Sequence, residues 1–240
     1  MTEHTVKSFD VELEALAAKV AEMGGLAEAQ LAGAIESFGK RDSELAARII
    51  RDDQRIDDIG REAEAAAIRL LALRQPMAQD LREALSAIKM TVDIERIGDL
   101  AKNVAKRALV LNQEEPVRLM QSVGRMGRLA LNQLTQVLDA YAQRSADRAL
   151  VVWNSDGEID EVYNSLFREL LTYMMEDPRT IGLCTHLLFL AKNLERIGDH
   201  ATNLAEIVHY LVTGRELADE RPKSDVTSTT NVEYTKPEIK

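Results

Sequence analysis

Apolar residues between Leu183 and Leu211 recur at alternating steps of four and three: Leu183, Leu187, Leu190, Leu194, Ile197, Ala201, Leu204, Val208 and Leu211. That period places them on one face of a long helix, the seam of a helical bundle. The same register occurs about 100 residues earlier in Ala87, Met90, Ile94, Ile97, Ala101, Val104, Ala108 and Leu111. A third seam, Ile49, Ile56, Ile59, Ala63, Ala66, Leu70 and Leu73, runs through the preceding segment. Long amphipathic helices are therefore the predicted building blocks.

Taken in order, the pattern predicts a first helix from about Phe9 to Phe38, stopped by Gly39-Lys40-Arg41-Asp42, where Asp42 can cap the next. A second runs from about Ser43 to Leu73 and ends at Arg74-Gln75-Pro76, because the residue before proline avoids helical backbone. A third spans about Met77 to Leu111. After the linker Asn112-Gln113-Glu114-Glu115-Pro116, a fourth covers about Val117 to Ala142, a fifth Ala146 to Met175 and a sixth Thr180 to Val212, with Asp177-Pro178 dividing the last two. Helices of about 30 residues are about 45 Å long, so two elongated three-helix bundles are expected, over residues 8–112 and 116–213. Residues 219–240 lose all periodicity and turn to Lys, Ser, Asp, Thr and Pro, the composition of a disordered tail.

Polar positions reinforce the duplication. Glu95-Arg96-Ile97-Gly98-Asp99 reappears as Glu195-Arg196-Ile197-Gly198-Asp199, and Ala101, Asn103 and Ala105 match Ala201, Asn203 and Ala205. Upstream, Met23-Gly24 with Gln30-Leu31 aligns with Met126-Gly127 and Gln133-Leu134, and Ile56-Asp57 with Ile159-Asp160. At about 100° per residue, Glu95, Asp99 and Asn103 form one acidic stripe, as do Glu195, Asp199 and Asn203. The seams place these carboxylates away from the core. Like charges four residues apart cost about 0.2–0.5 kcal/mol, and a glycine inside a helix costs about 1 kcal/mol relative to alanine. A merely solvated face needs neither feature, and the repetition favours a cation site over a charged surface. Asp53 and Asp57, and in the second half Asp156 and Asp160 with Asn164, stand where neighbouring helices bring them toward those stripes. Such an all-oxygen set suits Mg²⁺, Ca²⁺, Mn²⁺ or iron, whereas structural zinc would want Cys or His.

Composition narrows the classes of function. The 240 residues carry a net charge of −10 with no basic block, which argues against nucleic acid as a partner. One cysteine, Cys184, excludes an intramolecular disulfide framework. No stretch reaches the roughly 18 apolar residues of a membrane span and the first ten residues lack a signal core, so a soluble cytoplasmic protein is expected. His4, His186, His200 and His209 have no repeat partners and read as surface or packing residues, with His200 the best outside candidate for a ligand. Glu206-Ile207-Val208-His209 matches half of a dimetal motif that needs two inward-facing copies. Tyr173, Met174 and Met175 read as core or interface filler. No nucleophile constellation and no glycine-rich phosphate loop are present. On helix 3, Leu81, Leu85, Ile88 and Val92 form an apolar stripe in line with Glu95 and Asp99 and away from the seam, for which a second copy of the chain is the expected cover.

The two Glu-Arg-Ile-Gly-Asp phrases, Arg74-Gln75-Pro76, the run Thr172 to Asp177 with Arg179-Thr180-Ile181, and Asn193-Leu194 together resemble the PhoU family of bacterial phosphate-signalling regulators. The resemblance covers residues 8–213. It implies an all-α fold of two pseudo-symmetric three-helix bundles, some members of which bind metal clusters through paired acidic motifs. The matching positions are Asp53, Asp57, Glu95, Asp99, Asp156, Asp160, Glu195 and Asp199, with Mg, Mn or Fe as the implied metal. It also implies a non-enzymatic regulator standing between the ATPase subunit of the high-affinity phosphate ABC transporter and a sensor histidine kinase, keeping the phosphate-starvation regulon off when phosphate is plentiful. Two other classes remain open. A metal-dependent hydrolase would use the carboxylates to activate water, and a metal store would need a cage-forming assembly with inward-facing sites.

Overall fold

The computed structural model describes residues 2–74 and 76–217, with side chains from Phe9 onward. The expected tail over residues 219–240, His4 and Gln75 lie outside the described residues or side chains. Among the described residues every regular element is helical. The order is α1 Thr2–Gly39, α2 Ser43–Asp52, α3 Gln54–Arg74, α4 Ala78–Leu111, α5 Leu119–Ala142, α6 Ala146–Asn154, α7 Asp156–Glu176, a 3₁₀ turn Pro178–Thr180, and α8 Ile181–Thr213. One bundle comprises α1, the α2–α3 pair and α4, and the other α5, the α6–α7 pair and α8.

The two bundles repeat even their turns. Arg41 (φ 57°) and Arg144 (φ 50°) each adopt left-handed backbone immediately before a capping residue. Asp42 accepts from the Leu45 amide at 2.9 Å, and Ser145 from the Arg148 amide at 3.3 Å, satisfying donors that a helix start leaves unmet. Gly214, with φ 71°, closes α8 in the left-handed form that glycine adopts without penalty.

The α4 seam is buried at every expected position from Ala87 to Leu111, and the α8 seam from Leu187 to Leu211, with Leu183 half-buried. Two long predicted helices are instead broken. The second is interrupted at Asp53 and the fifth at Ser155, where the Ile56 amide bonds the Asp53 carbonyl at 3.0 Å and the Glu158 amide bonds the Ser155 carbonyl at 3.1 Å, three-residue steps rather than four. Beyond the first break the inward stripe is Ile56, Gly60, Ala63, Ala67 and Leu70. Ile49, Ile59 and Ala66 are only half-buried, and Leu73 is 72% exposed. The buried positions Ala46, Asp53, Ile56, Gly60, Ala63, Ala67 and Leu70 keep one register through the break, and the expected seam misses it where it takes Ile59 and Ala66 in place of Gly60 and Ala67 and runs on to Leu73. Tyr173 and Met175 are exposed while Met174 packs against the core, so only the last fills it.

One apolar core runs through both bundles, because α4 and α8 lie against each other and serve both sides. They are antiparallel. Arg107 meets His186 at 3.0 Å near one end, and Asp93 Oδ1 lies 2.7 Å from His200 Nδ1 and accepts from Asn203 Nδ2 at 3.1 Å toward the other. A second contact joins α1 to α5 with the same two-fold logic. A β-carbon on Gly24 would stand 2.6 Å from Leu138 Cδ2, and one on Gly127 would stand 3.0 Å from Ile35 Cγ1. The absent side chains let the two bundles close, which explains why this pair of glycines recurs in both repeats. Gly25, next along α1, faces open space.

Valine at Gly24 or at Gly127 is expected to lower unfolding free energy by about 1–3 kcal/mol through overpacking, whereas Gly25→Ala raises it by up to about 1 kcal/mol. Urea denaturation of the three variants checks the contrast, and equal effects at Gly24 and Gly25 would refute the close-approach account.

Candidate functional site

Asp53, at the break between α2 and α3, lies on the buried face of the N-terminal bundle. Gln30 from α1 donates to its Oδ1 at 2.7 Å and, with the same nitrogen, to the Gly98 carbonyl of α4 at 2.9 Å. Lys102 of α4 hydrogen-bonds the other oxygen of Asp53 and reaches Asp99 Oδ1 at 2.8 Å, while Arg96 Nη1 stands 3.7 Å from Asp99 Oδ2. Burial disfavours the Lys102 ammonium, but the bonds to Asp53 and Asp99 outweigh it and leave the pKa above the ordinary lysine value. Gly98 makes the approach possible, since a β-carbon there would lie 3.0 Å from Ile56 Cδ1 and 3.8 Å from Asp53 Oδ1. Glu95 lies near Gly60 of α3, its Oε2 4.0 Å from where a β-carbon would stand. Asp57 is pushed above the usual carboxylate range by desolvation first, then by the charge of Asp53, partly countered by Lys102.

The C-terminal bundle builds the same place from different parts. Asp156, Asp160, Asn164 and Glu195 are all buried. Thr202, at the position that Lys102 holds in the first repeat, donates to Asp156 Oδ1 at 2.8 Å and to the Gly198 carbonyl at 3.1 Å. Gln133, the counterpart of Gln30, donates to the Ser155 carbonyl at 3.0 Å and to its hydroxyl at 3.2 Å. Its amide oxygen is buried without a hydrogen-bond partner and would meet a β-carbon on Gly198 at 3.1 Å, so it faces the motif helix. The basic residue here is Lys192, entering from the other end of the motif, 2.8 Å from Glu195 Oε1 and 4.9 Å from the centre of the Tyr163 ring.

The expectation that the acidic stripes face outward is corrected. Asp53, Asp156, Asp160 and Glu195 are turned into helix junctions, and Asp57, Glu95, Asp99 and Asp199 are half-buried. The helix breaks and the closeness permitted by Gly98 and Gly198 bring those carboxylates in. Asp53 and Asp99 converge on one ammonium, with Asp57 within electrostatic reach. Gln30, Gln133, Lys102, Thr202 and Lys192 were missed as members of the site. The glutamines were visible as a matched pair, and Lys102 and Thr202 as one of the mismatches, with Leu100 against His200 and Val104 against Leu204, inside a largely matched run.

Elsewhere, His200 pairs with Asp93 at the bundle junction, Glu206 accepts from the Trp153 indole at 3.0 Å, and His209 Nδ1 lies 3.1 Å from the Arg215 carbonyl, so none of them joins the acidic groups. Cys184 is buried, and desolvation raises its thiol pKa.

Among the described residues no three Asp, Glu, His or Cys side chains converge as a ready metal cage. The N-terminal acidic set does not fit a cation as it stands, because Lys102 occupies the space between Asp53 and Asp99. The C-terminal set offers hard oxygen donors in four acidic residues, Asn164 and the orphaned oxygen of Gln133, with Lys192 bonded to Glu195 among them.

A tandem, pseudo-symmetric pair of helical bundles with a buried acidic junction in each is the class of protein this geometry defines. A family model described as the PhoU domain matches residues 20–108 and again 123–208, and the chain belongs to that family. It is 56% identical over 229 residues to the phosphate-specific transport system accessory protein PhoU homolog of Caulobacter vibrioides, covering 95% of this chain and 100% of the relative. The Rhizobium meliloti protein of the same name is 51% identical, covering 94% and 96%. The crystal structure of PhoU from Pseudomonas aeruginosa superposes with a TM-score of 0.84 at 41% identity, covering 86% of this chain and all of that one. The phosphate transport system regulatory protein PhoU from Streptococcus pneumoniae gives 0.80 at 31% identity, covering 87% and 99%.

The raised pKa of Asp57 means that its charge weakens the fold above that pKa. As pH falls through it, the folded chain takes up the proton before the unfolded chain does, and the penalty is relieved. Asp57→Asn is therefore expected to melt a few degrees higher than the parent at neutral pH in chelator, roughly the shift of a sub-kcal/mol gain, with the gap closing in acid. A gap that stays constant across pH in thermal scans would refute the electrostatic origin.

Proposed function

We propose that this chain is a non-enzymatic regulatory adaptor of phosphate uptake. It contacts the ATPase subunit of a phosphate ABC transporter and a sensor histidine kinase in the cytoplasm, and keeps phosphate-starvation genes silent when phosphate is plentiful. The observation that carries this reading is the match of both repeats, over nearly their whole length, to a family whose relatives are named as accessory or regulatory proteins of phosphate transport. No helix among the described residues is long and apolar enough to cross a membrane, in keeping with a protein that reaches the transporter from one side.

Metal binding belongs to the same proposal, with Mg, Mn or Fe as the cation, at Asp156, Asp160, Glu195 and Asp199 and, only once Lys102 has moved aside, at their repeat counterparts Asp53, Asp57, Glu95 and Asp99. A bound cation would offset the repulsion among these carboxylates. The site's own residues supply oxygen donors and no proton-handling histidine. That favours a structural or regulatory ion over a hydrolytic one.

A homodimer is proposed from α4, where Leu81, Leu85 and Val92 remain 37%, 40% and 55% exposed after both bundles have packed. Light scattering at micromolar concentration should give about twice the 26.8 kDa chain mass, and a monomer throughout would overturn it.

Tagged protein drawn from phosphate-replete cells should bring down the transporter ATPase and the kinase, and deletion should switch on a phosphate-starvation reporter in rich medium. A deletion that leaves the reporter silent refutes the regulatory reading. Changing Glu95, Asp99, Glu195 and Asp199 together to Ala should preserve helix content and remove the stabilisation given by Mn²⁺, about 2.7 kcal/mol at a hundredfold excess over Kd. Unchanged metal content by elemental analysis would refute the site.

A further inference from the structure

We propose that the outer face of α5, with the adjoining side of α1, is a docking bed for an acidic amphipathic helix of a partner protein. The proposal rests on the adaptor reading above and gives one of the adaptor's partners a place to bind.

From Val117 to Leu138, a stretch that takes in most of α5, there is no aspartate or glutamate, in a chain whose net charge is −10. The exposed positions run Arg118, Gln121, Arg125, Arg128 and Asn132 along one face. None of the three arginine side chains forms an ion pair among the described residues. The helix itself gains nothing from them. Arg118 stands at the N-cap and no acid occupies the first turn, the wrong sign for the positive end of a helix, and Arg125 and Arg128 are like charges one turn apart. The repeated fold does not need them either. In the register that matches Met126-Gly127 to Met23-Gly24, they correspond to Ala15, Glu22 and Gly25 of α1. A cationic face that burdens its own helix and is missing from the twin bundle is accounted for by what it binds.

The surroundings say what shape that partner has. From Arg118 to Arg128 is about 15 Å of helix axis, and a second helix with carboxylates at steps of three, four and seven residues repeats the same spacing. Beside α5, α1 turns Glu28 and Ile35 toward α5 and Gly33 toward Ile49 of α2, so it lies between those two helices. On its far flank Leu26, Ala29, Ile49 and Ile56 line a cavity of about 180 Å³, which Arg55 also borders. The bed thus offers guanidinium groups on one flank and a socket for one large apolar side chain on the other, the pairing that an acidic amphipathic helix satisfies. A lipid surface is the poorer occupant, because the exposed residues among the arginines are Gln121 and Asn132, with no apolar side chain to enter it.

The test is fluorescence anisotropy of a labelled synthetic helix of about 20 residues, with glutamates at steps of three and four on one face and a single leucine beside them, titrated with the full-length chain. The peptide should bind although both molecules are anionic, and more weakly as salt is raised. Arg118→Glu with Arg125→Glu and Arg128→Glu should weaken binding at least about tenfold, and the same three changes to Gln several-fold. Ala29→Phe, which fills the cavity and alters no charge, should weaken it about tenfold. Arg69→Glu with Lys106→Glu and Arg215→Glu, the same change in net charge on other surfaces, should change it less than about twofold. A parent chain that does not bind the peptide, equal loss from the two charge-reversed triples, or an unaffected Ala29→Phe protein would overturn the proposal. Arginine-dependent binding to phosphatidylserine vesicles without peptide binding would overturn it in favour of a membrane surface. Should the Glu triple fail to fold by circular dichroism, the Gln triple and Ala29→Phe still decide. Co-purification separates this proposal from the adaptor reading. A folded Glu triple that brings down the transporter ATPase and the kinase as well as the parent does refutes the docking bed alone, whereas a parent that binds the peptide and brings down neither protein refutes the adaptor reading and leaves the bed standing.

Discussion

The burial of carboxylates where three helices meet is the constraint around which each bundle is arranged. A charge withdrawn from water is tolerated only with partners close by. Asp53 has Gln30 from α1 and Lys102 from α4, and Asp156 has Thr202 from α8. The helix carrying the carboxylate is broken at or beside that residue, which stands on the buried side. The facing helix carries glycine, so that its backbone comes near enough to take part: the Gly98 carbonyl shares the amide of Gln30 with Asp53, and the Gly198 carbonyl shares the hydroxyl of Thr202 with Asp156. The apolar seams above and below these points supply the bulk of the stabilisation, while the polar junctions fix the relative register of the helices.

Register between the bundles is fixed separately. Asp93, His200 and Asn203 bind α4 to α8 part-way along their length, Arg107 stacks on Phe189 at 4.9 Å beside His186, and Thr135 donates to Glu28 between α5 and α1. These contacts are not copies of one another. The scaffold therefore keeps its two-fold pattern in the apolar, glycine and acidic positions inside each bundle and abandons it in the polar contacts between bundles.

Much of this was legible in the chain. The α4 and α8 seams follow from a single period and were right at nearly every position, because a long straight helix has no means of changing phase. The duplication and the acidic positions were legible for the same reason, as repeats in register. The inner stripe of α3 was not, since it runs through a charge at Asp53 and through Gly60 and Ala67, residues too small to stand out as an apolar stripe. The inward turn of Glu195 and Asp160 likewise depends on how closely α7 approaches α8, which pattern alone does not encode. Lys102 was hidden for a simpler reason: it lies at one of the positions where the repeats differ, and a repeat points only to what it shares.

The Gly98 contact has a consequence for how such a sequence can change. A side chain there would press on Ile56 and touch Asp53, both on the α2–α3 side of the bundle, and Asp53 in turn is fastened to Gln30 and Lys102. Residues scattered over more than seventy positions of chain therefore behave as a single spatial word: alter one letter, and the others must be respelled together. The five-residue phrase visible in the sequence is the part of that word that happens to lie along one helix.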